Sequence, residues 1–175
     1  MKHNEFPLAN SYQVSLAKNE EADEIICLLK DVANWLKEKG IDQWGFLASG
    51  GEDDEIKQAI NNQKTFTIKK NSKITATFTL YQQQSDWDQH TWGKLNDQAI
   101  YLHRLALQRA EIGFGLGKEV IHWLETYLRN EEIKTLRLDC VENNIQLNLF
   151  YLDNGFKKVG VSDGHSLFQK NISSI

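Results

Sequence analysis

A chain of 175 residues that is 41% hydrophobic and 25% charged has the length and composition of one globular domain, burying about 70% of the surface its unfolded form exposes. A single domain over residues 1–175 is therefore expected. A formal net charge of −4 and a pI near 5.7 provide no general attraction to phosphate backbones or anionic lipid, so neither nucleic acid nor a membrane is an expected partner.

The longest apolar run, IICLL at residues 25–29, is far short of the ~20 residues a membrane span needs. No charged segment followed by an apolar stretch opens the chain, and a cytoplasmic protein is expected. Residues 12–16 alternate weakly, as a short strand does. The pattern then shifts to a helical period, with Ile25, Leu28, Leu29, Val32, Trp35 and Leu36 on one face, and Gly40 supplies the stop. A second, short helix is expected over residues 54–60, with acidic residues from Glu52 to Glu55 at its positive end and a polarity that marks it as a surface element.

Residues 65–69 and 74–81 flank the turn sequence KNSK and predict a hairpin. Ile74, Ala76, Phe78 and Leu80 alternate with Thr75, Thr77 and Thr79, so one face is apolar and the other threonine-lined. Residues 82–98 show neither period and are long for a structureless connection, which makes the segment functional or mobile. Trp87 and Trp92 within it argue against a plain linker. Residues 100–107 form the next predicted strand, followed by a glycine-rich loop and a helix with Leu116, Val120, Trp123, Leu124, Tyr127 and Leu128 in 3.6 periodicity. A strand at 136–141, a helix near 144–153 ended by Asn154 and Gly155, and strands near 156–161 and 166–172 complete the chain. Cys27 falls in a predicted helix and Cys140 in a predicted strand, and both are expected as buried free thiols. With no CxxC and no HExxH, no metal site is expected.

The loop EIGFGLGKEV spans residues 111–120. A dinucleotide fingerprint requires GxGxxG, but Lys118 stands three after Gly115 and Val120 three after Gly117. A P-loop requires GxxxxGK and then Ser or Thr, but Ile112 and Glu119 occupy the decisive positions. What remains is a strand running into small residues at a helix N-terminus, where unpaired amides and the helix dipole favour an anion. Glycine costs roughly 1 kcal/mol against alanine inside a helix, so Gly115 and Gly117 suggest a ligand that approaches too closely for a Cβ. A glycine-softened turn is the alternative.

Two motifs extend this reading. The stretch from Leu102 to Gly160 resembles the GCN5-related N-acetyltransferase (GNAT) family, first in the strand, loop and helix around GFGLGKEV and again in NNIQLNLFYLDNGF. The resemblance implies an α/β fold with a mixed, mostly antiparallel central sheet of about six to seven strands flanked by helices on both faces. It implies acetyl-CoA as cosubstrate, held by the backbone of Leu105, Ala106 and Leu107 along the pantetheine arm. The diphosphate would lie on the loop of Ile112, Gly113, Phe114, Gly115, Leu116, Gly117 and Lys118, with Asn144 and Phe150 as further coenzyme contacts. Gly115 and Gly117 match the family's loop pattern, whereas Ile112 stands where the family has Gln or Arg.

Acetyl transfer to an amine needs a neutral nucleophile, and an alkyl ammonium of pKa near 10.4 lies about 3 units from neutrality at pH 7. His103, on the strand entering the site, is the candidate base; its alternative is a half-buried strand histidine satisfied by a hydrogen bond. Glu111, Asp139 and His122 are further candidates. Tyr151 matches the family's tyrosine that donates to the departing thiolate, its alternative being a core aromatic beside Phe150. Trp35, Trp44, Trp87 and Trp92 suggest an aromatic wall for a cation. The expected activity is N-acetyl transfer to a primary amine of a small molecule or protein, with a homodimer possible through a sheet edge. The rival is a non-catalytic acyl-CoA-binding sensor or regulatory module of the same fold.

Overall fold

The computed structural model describes residues 6–8 and 11–174. Contacts divide the chain into two compact units, Met1–Thr79 with Arg104–Val120, and Leu80–His103 with Ile121–Ile175. Neither unit is continuous in sequence.

In the first unit, β1 (Phe6–Leu8), β2 (Tyr12–Leu16), β3 (Thr65–Lys70) and β4 (Lys73–Tyr81, as far as Thr79) pair antiparallel in that order. The β3–β4 turn puts Asn71 and Ser72 at φ of 51° and 63°, the two left-handed residues that a tight hairpin requires. Three helices follow β2: α1 (Ala22–Glu38), α2 (Gly45–Ala48) and α3 (Asp53–Asn61). Ile25, Leu28, Leu29, Val32 and Leu36 of α1 enter one apolar core with Leu47, Ile56, Ile60, Ile74 and Ala106. Gly40, at φ 77°, follows the end of α1.

The short acidic helix lies at the surface as expected, with Asp54, Glu55, Lys57 and Gln58 exposed, and it buries one stripe made of Ile56, Ala59 and Ile60. The threonine-lined face of the hairpin is buried as well: Thr65, Thr67, Thr75, Thr77 and Thr79 have almost no exposure. Thr75 and Thr77 donate to the carbonyls of Ile68 and Phe66 at 2.9 and 2.8 Å, and the Thr65 and Thr79 hydroxyls pair at 2.9 Å. A hydroxyl that finds a carbonyl loses little on burial.

In the second unit, β5 (Ala99–Leu107, as far as His103), β6 (Thr135–Val141), β8 (His165–Asn171) and β7 (Lys157–Ser162) lie in the order β5-β6-β8-β7. The β5–β6 pair is parallel and the others antiparallel. The parallel register runs from Ala99–Thr135 to Tyr101–Arg137, although both strands continue beyond it. The unit also holds α4 (Asp86–Trp92), most of α5 (Leu116–Asn130), and α6 (Ile145–Asp153). Arg137 is buried and bonded to Asp97 at 2.6 and 2.8 Å, to Tyr101 at 3.0 Å and to Gln169 at 3.0 Å, with Trp92 stacked 5.3 Å away. The segment 82–98, without a period of its own, thus contains a helix and an anchoring aspartate.

Among the described residues the strands number eight, one beyond the expected six to seven, because β1 adds to β2. The mixed, mostly antiparallel α/β class is as the sequence implied. Cys27 corrects a further expectation, since it lies exposed on α1 while Cys140 is buried in β6. No helix among the described residues is long and apolar enough to cross a membrane.

Candidate functional site

The glycine loop belongs to the first unit. β5 ends in a strained stretch: Arg104 is buried at φ 52°, a conformation costly for a residue with a Cβ. Its guanidinium reaches Glu52 at 3.0 Å and Glu55 at 3.1 Å. Leu105 and Leu107 are half-buried, Ala106 lies in the core, and the Gln108 amide donates to Thr75 at 2.8 Å. A turn at Arg109–Glu111 follows. Glu111 accepts from the Tyr12 hydroxyl at 2.5 Å, and this bond pushes the Tyr12 phenol up.

The next residues open outward. Ile112 and Phe114 are exposed, and Gly113 and Gly115 take φ of 88° and 86°. A Cβ at either glycine would meet nothing within 4 Å. Gly115 is therefore required by the sign of its φ and not by crowding from its own fold, and the space in front of it is open. The Glu119 amide donates to the Gly115 carbonyl at 3.1 Å as α5 begins. Helix geometry then leaves the amides of Leu116, Gly117 and Lys118 without intrahelical acceptors, at the positive end of a 15-residue helix. A doubly charged diphosphate fits this donor set.

The remaining candidates belong to the second unit. Tyr151 is buried on α6, with the rings of Phe150, Phe156 and Phe168 at 5.3, 5.3 and 5.7 Å. Burial, with the neighbouring Cys140 and Asp139, pushes its phenol well above the ordinary tyrosine range. Asn144 is the N-cap of α6, its Oδ1 accepting from the Leu147 amide at 3.2 Å. His103 has its Nε2 3.0 Å from both carboxylate oxygens of Asp88, and its ring meets Tyr81 edge-on at 5.0 Å.

Asp139 accepts from Trp87 Nε1 at 3.0 Å, and His165 Nδ1 lies 3.0 Å from the same carboxylate without hydrogen-bond alignment. His122 is exposed beside Glu125. Of the four tryptophans considered for an aromatic wall, Trp35 and Trp44 pack against the core of the first unit, whereas Trp87 and Trp92 are held by Asp139 and Arg137 in the second. Asp88 was absent from the sequence-based candidates. Its signal was the Ser85-x-x-Asp88 capping box, which predicts a helix start inside a stretch that lacks periodicity.

A sequence model of the acetyltransferase (GNAT) family matches residues 29–156. The uncharacterized N-acetyltransferase YesJ of Bacillus subtilis is 35% identical over 169 residues, an alignment that covers 95% of this chain and 94% of that protein. A GNAT-family acetyltransferase structure from Listeria monocytogenes superposes with a TM-score of 0.81 at 31% identity, covering 96% of this chain and 99% of that one. The PaiA N-acetyltransferase of Thermoplasma acidophilum, solved in complex with coenzyme A, shares the fold with a TM-score of 0.71 at 18% identity, over 92% of this chain and 99% of that one. Matched by the family over most of its length, and aligned nearly end to end with a relative, this chain belongs to the GNAT family of acetyltransferases.

Proposed function

We propose that residues 1–175 act as one domain in which this acetyl-CoA-dependent acyltransferase moves an acetyl group directly to a primary amine of a small molecule or protein. The observation that carries this reading is the pair of left-handed glycines, Gly113 and Gly115, opening onto the N-terminus of α5. The α5 amides suit a diphosphate, and a Cβ at either glycine would meet nothing within 4 Å. The backbone of Leu105, Ala106 and Leu107 would hold the pantetheine arm. Asn144, through the amide nitrogen that its capping oxygen leaves available, and Phe150 would complete the coenzyme contacts.

Acetyl-CoA, when bound, supplies the activated thioester. The chain's own residues then have two proton tasks. His103 accepts the proton that the amine must lose. Tyr151, whose phenol burial holds in the protonated form, donates a hydrogen bond toward the departing sulfur. A phenol raised in this way is a poor proton donor outright, so its contribution is hydrogen-bond stabilisation of developing thiolate charge.

Tyr151→Phe tests the reading. Turnover, measured as thiol release over a panel of polyamine, aminoglycoside, amino-acid and peptide amines, is expected to fall by about 10- to 100-fold. Calorimetric acetyl-CoA affinity is expected to hold. Unchanged turnover would remove Tyr151 from the mechanism.

A further inference from the structure

We propose that Asp88 is a positioning residue that fixes the tautomer and orientation of His103, making Nδ1 the atom that accepts the proton; this rests on the base role given to His103 above. Asp88 is 1% exposed, on the first turn of α4. Its Oδ2 accepts from the Ser85 amide at 3.0 Å and from the Ser85 hydroxyl at 2.9 Å, while the Asp88 amide donates back to Ser85 Oγ at 3.1 Å. The carboxylate is therefore oriented by its own helix start before it meets the imidazole.

A carboxylate only accepts, so the hydrogen between Asp88 and His103 resides on Nε2, which lies 3.0 Å from both oxygens. A neutral imidazole protonated at Nε2 carries its lone pair on Nδ1. The Tyr81 ring packed edge-on against the imidazole opposes the ring flip that would exchange the two nitrogens. In the step, Nδ1 takes one proton from the acceptor's ammonium, the amine nitrogen uses the freed electron pair to form the C–N bond at the thioester carbonyl, and the C–S bond breaks as the nitrogen's second proton passes to the departing sulfur. The imidazolium then carries N–H at both positions, its charge lies beside Asp88, and its proton passes to solvent after transfer.

The experiment records imidazole 15N shifts of His103 in the full-length protein at a pH where the ring is neutral, assigned by their loss in His103→Gln. The wild type is expected as the Nε2–H tautomer. Asp88→Asn keeps an acceptor for the Ser85 amide but turns an N–H toward the ring, so the Nδ1–H tautomer is expected. On the best amine among spermidine, kanamycin, lysine and a lysine peptide, kcat is expected to fall by about 100-fold, with the KM for acetyl-CoA changing less than about twofold. Asp88→Glu, which keeps the carboxylate, is expected to retain the Nε2–H tautomer and recover much of kcat. An Nδ1–H wild type, or a tautomer indifferent to Asp88→Asn, overturns the proposal. A switched tautomer with unchanged kcat overturns its catalytic part. Failure of the wild type to bind acetyl-CoA calorimetrically would instead defeat the underlying acetyltransferase reading, which the tautomer measurement does not touch.

Discussion

Cys27 and Cys140 carry one functional group into opposite environments. Burial, and next the Asp139 charge, pushes the Cys140 thiol up to about 12, whereas Cys27 is exposed on α1. Because thiolate is the reactive form, native protein at pH 8 is expected to give one fast equivalent with a disulfide thiol reagent and the second only in denaturant. Two fast equivalents would show that β6 does not shield its thiol. Asp97 carries a prediction with a sign. Hydrogen bonds from Arg137 hold its carboxyl below the usual range, against an opposing contribution from burial. A carboxyl lowered in the folded state stabilises above its unfolded pKa and loses that contribution as pH falls through the folded one. Because solvent screens the half-exposed Asp97 carboxylate, Asp97→Asn is expected to cost only about 1 kcal/mol at pH 7, and the gap to wild type is expected to narrow below about pH 4. Urea unfolding at pH 7 and pH 3 measures both. A gap that persists unchanged at pH 3 would mean that the carboxylate charge is not its source.

At the scale of the element, the junction from β5 through the loop to α5 combines two local constraints, glycines at positive φ and helix amides without intrahelical acceptors. Gly115→Ala would place a Cβ in open space, so its cost is conformational, about 1–2 kcal/mol. If the loop relaxes to relieve that strain, its amides no longer converge, and acetyl-CoA affinity is expected to drop by about tenfold. Calorimetry of the variant checks this, and an unchanged affinity would separate the glycine from the coenzyme. The long helices α1 and α5 and the β3–β4 hairpin were legible because each repeats its apolar period several times. α4 was not, because seven residues hold two turns at most and its large side chains are tryptophans directed to polar partners. α2, at four residues, is shorter still.

For the whole molecule, a ligand that binds only the folded chain stabilises it by mass action, by about 2.7 kcal/mol at 100 times its Kd. Acetyl-CoA is therefore expected to raise the melting temperature in a concentration-dependent way, whereas ATP and NAD at equal concentration leave it unchanged; an equal rise with either nucleotide would favour a nucleotide-binding loop. Family, fold class and the glycine turn at the start of α5 were legible in the sequence because they reside in short segments whose period or spacing constrains them locally. The pairing of His103 with Asp88, 15 residues away, and of Trp87 with Asp139, 52 residues away, was decided only in the tertiary structure. So were the dry threonine face and the exposure of Cys27. A side chain's partner depends on which strands and helices pack beside it, and that is a property of long-range pairing that no local period records.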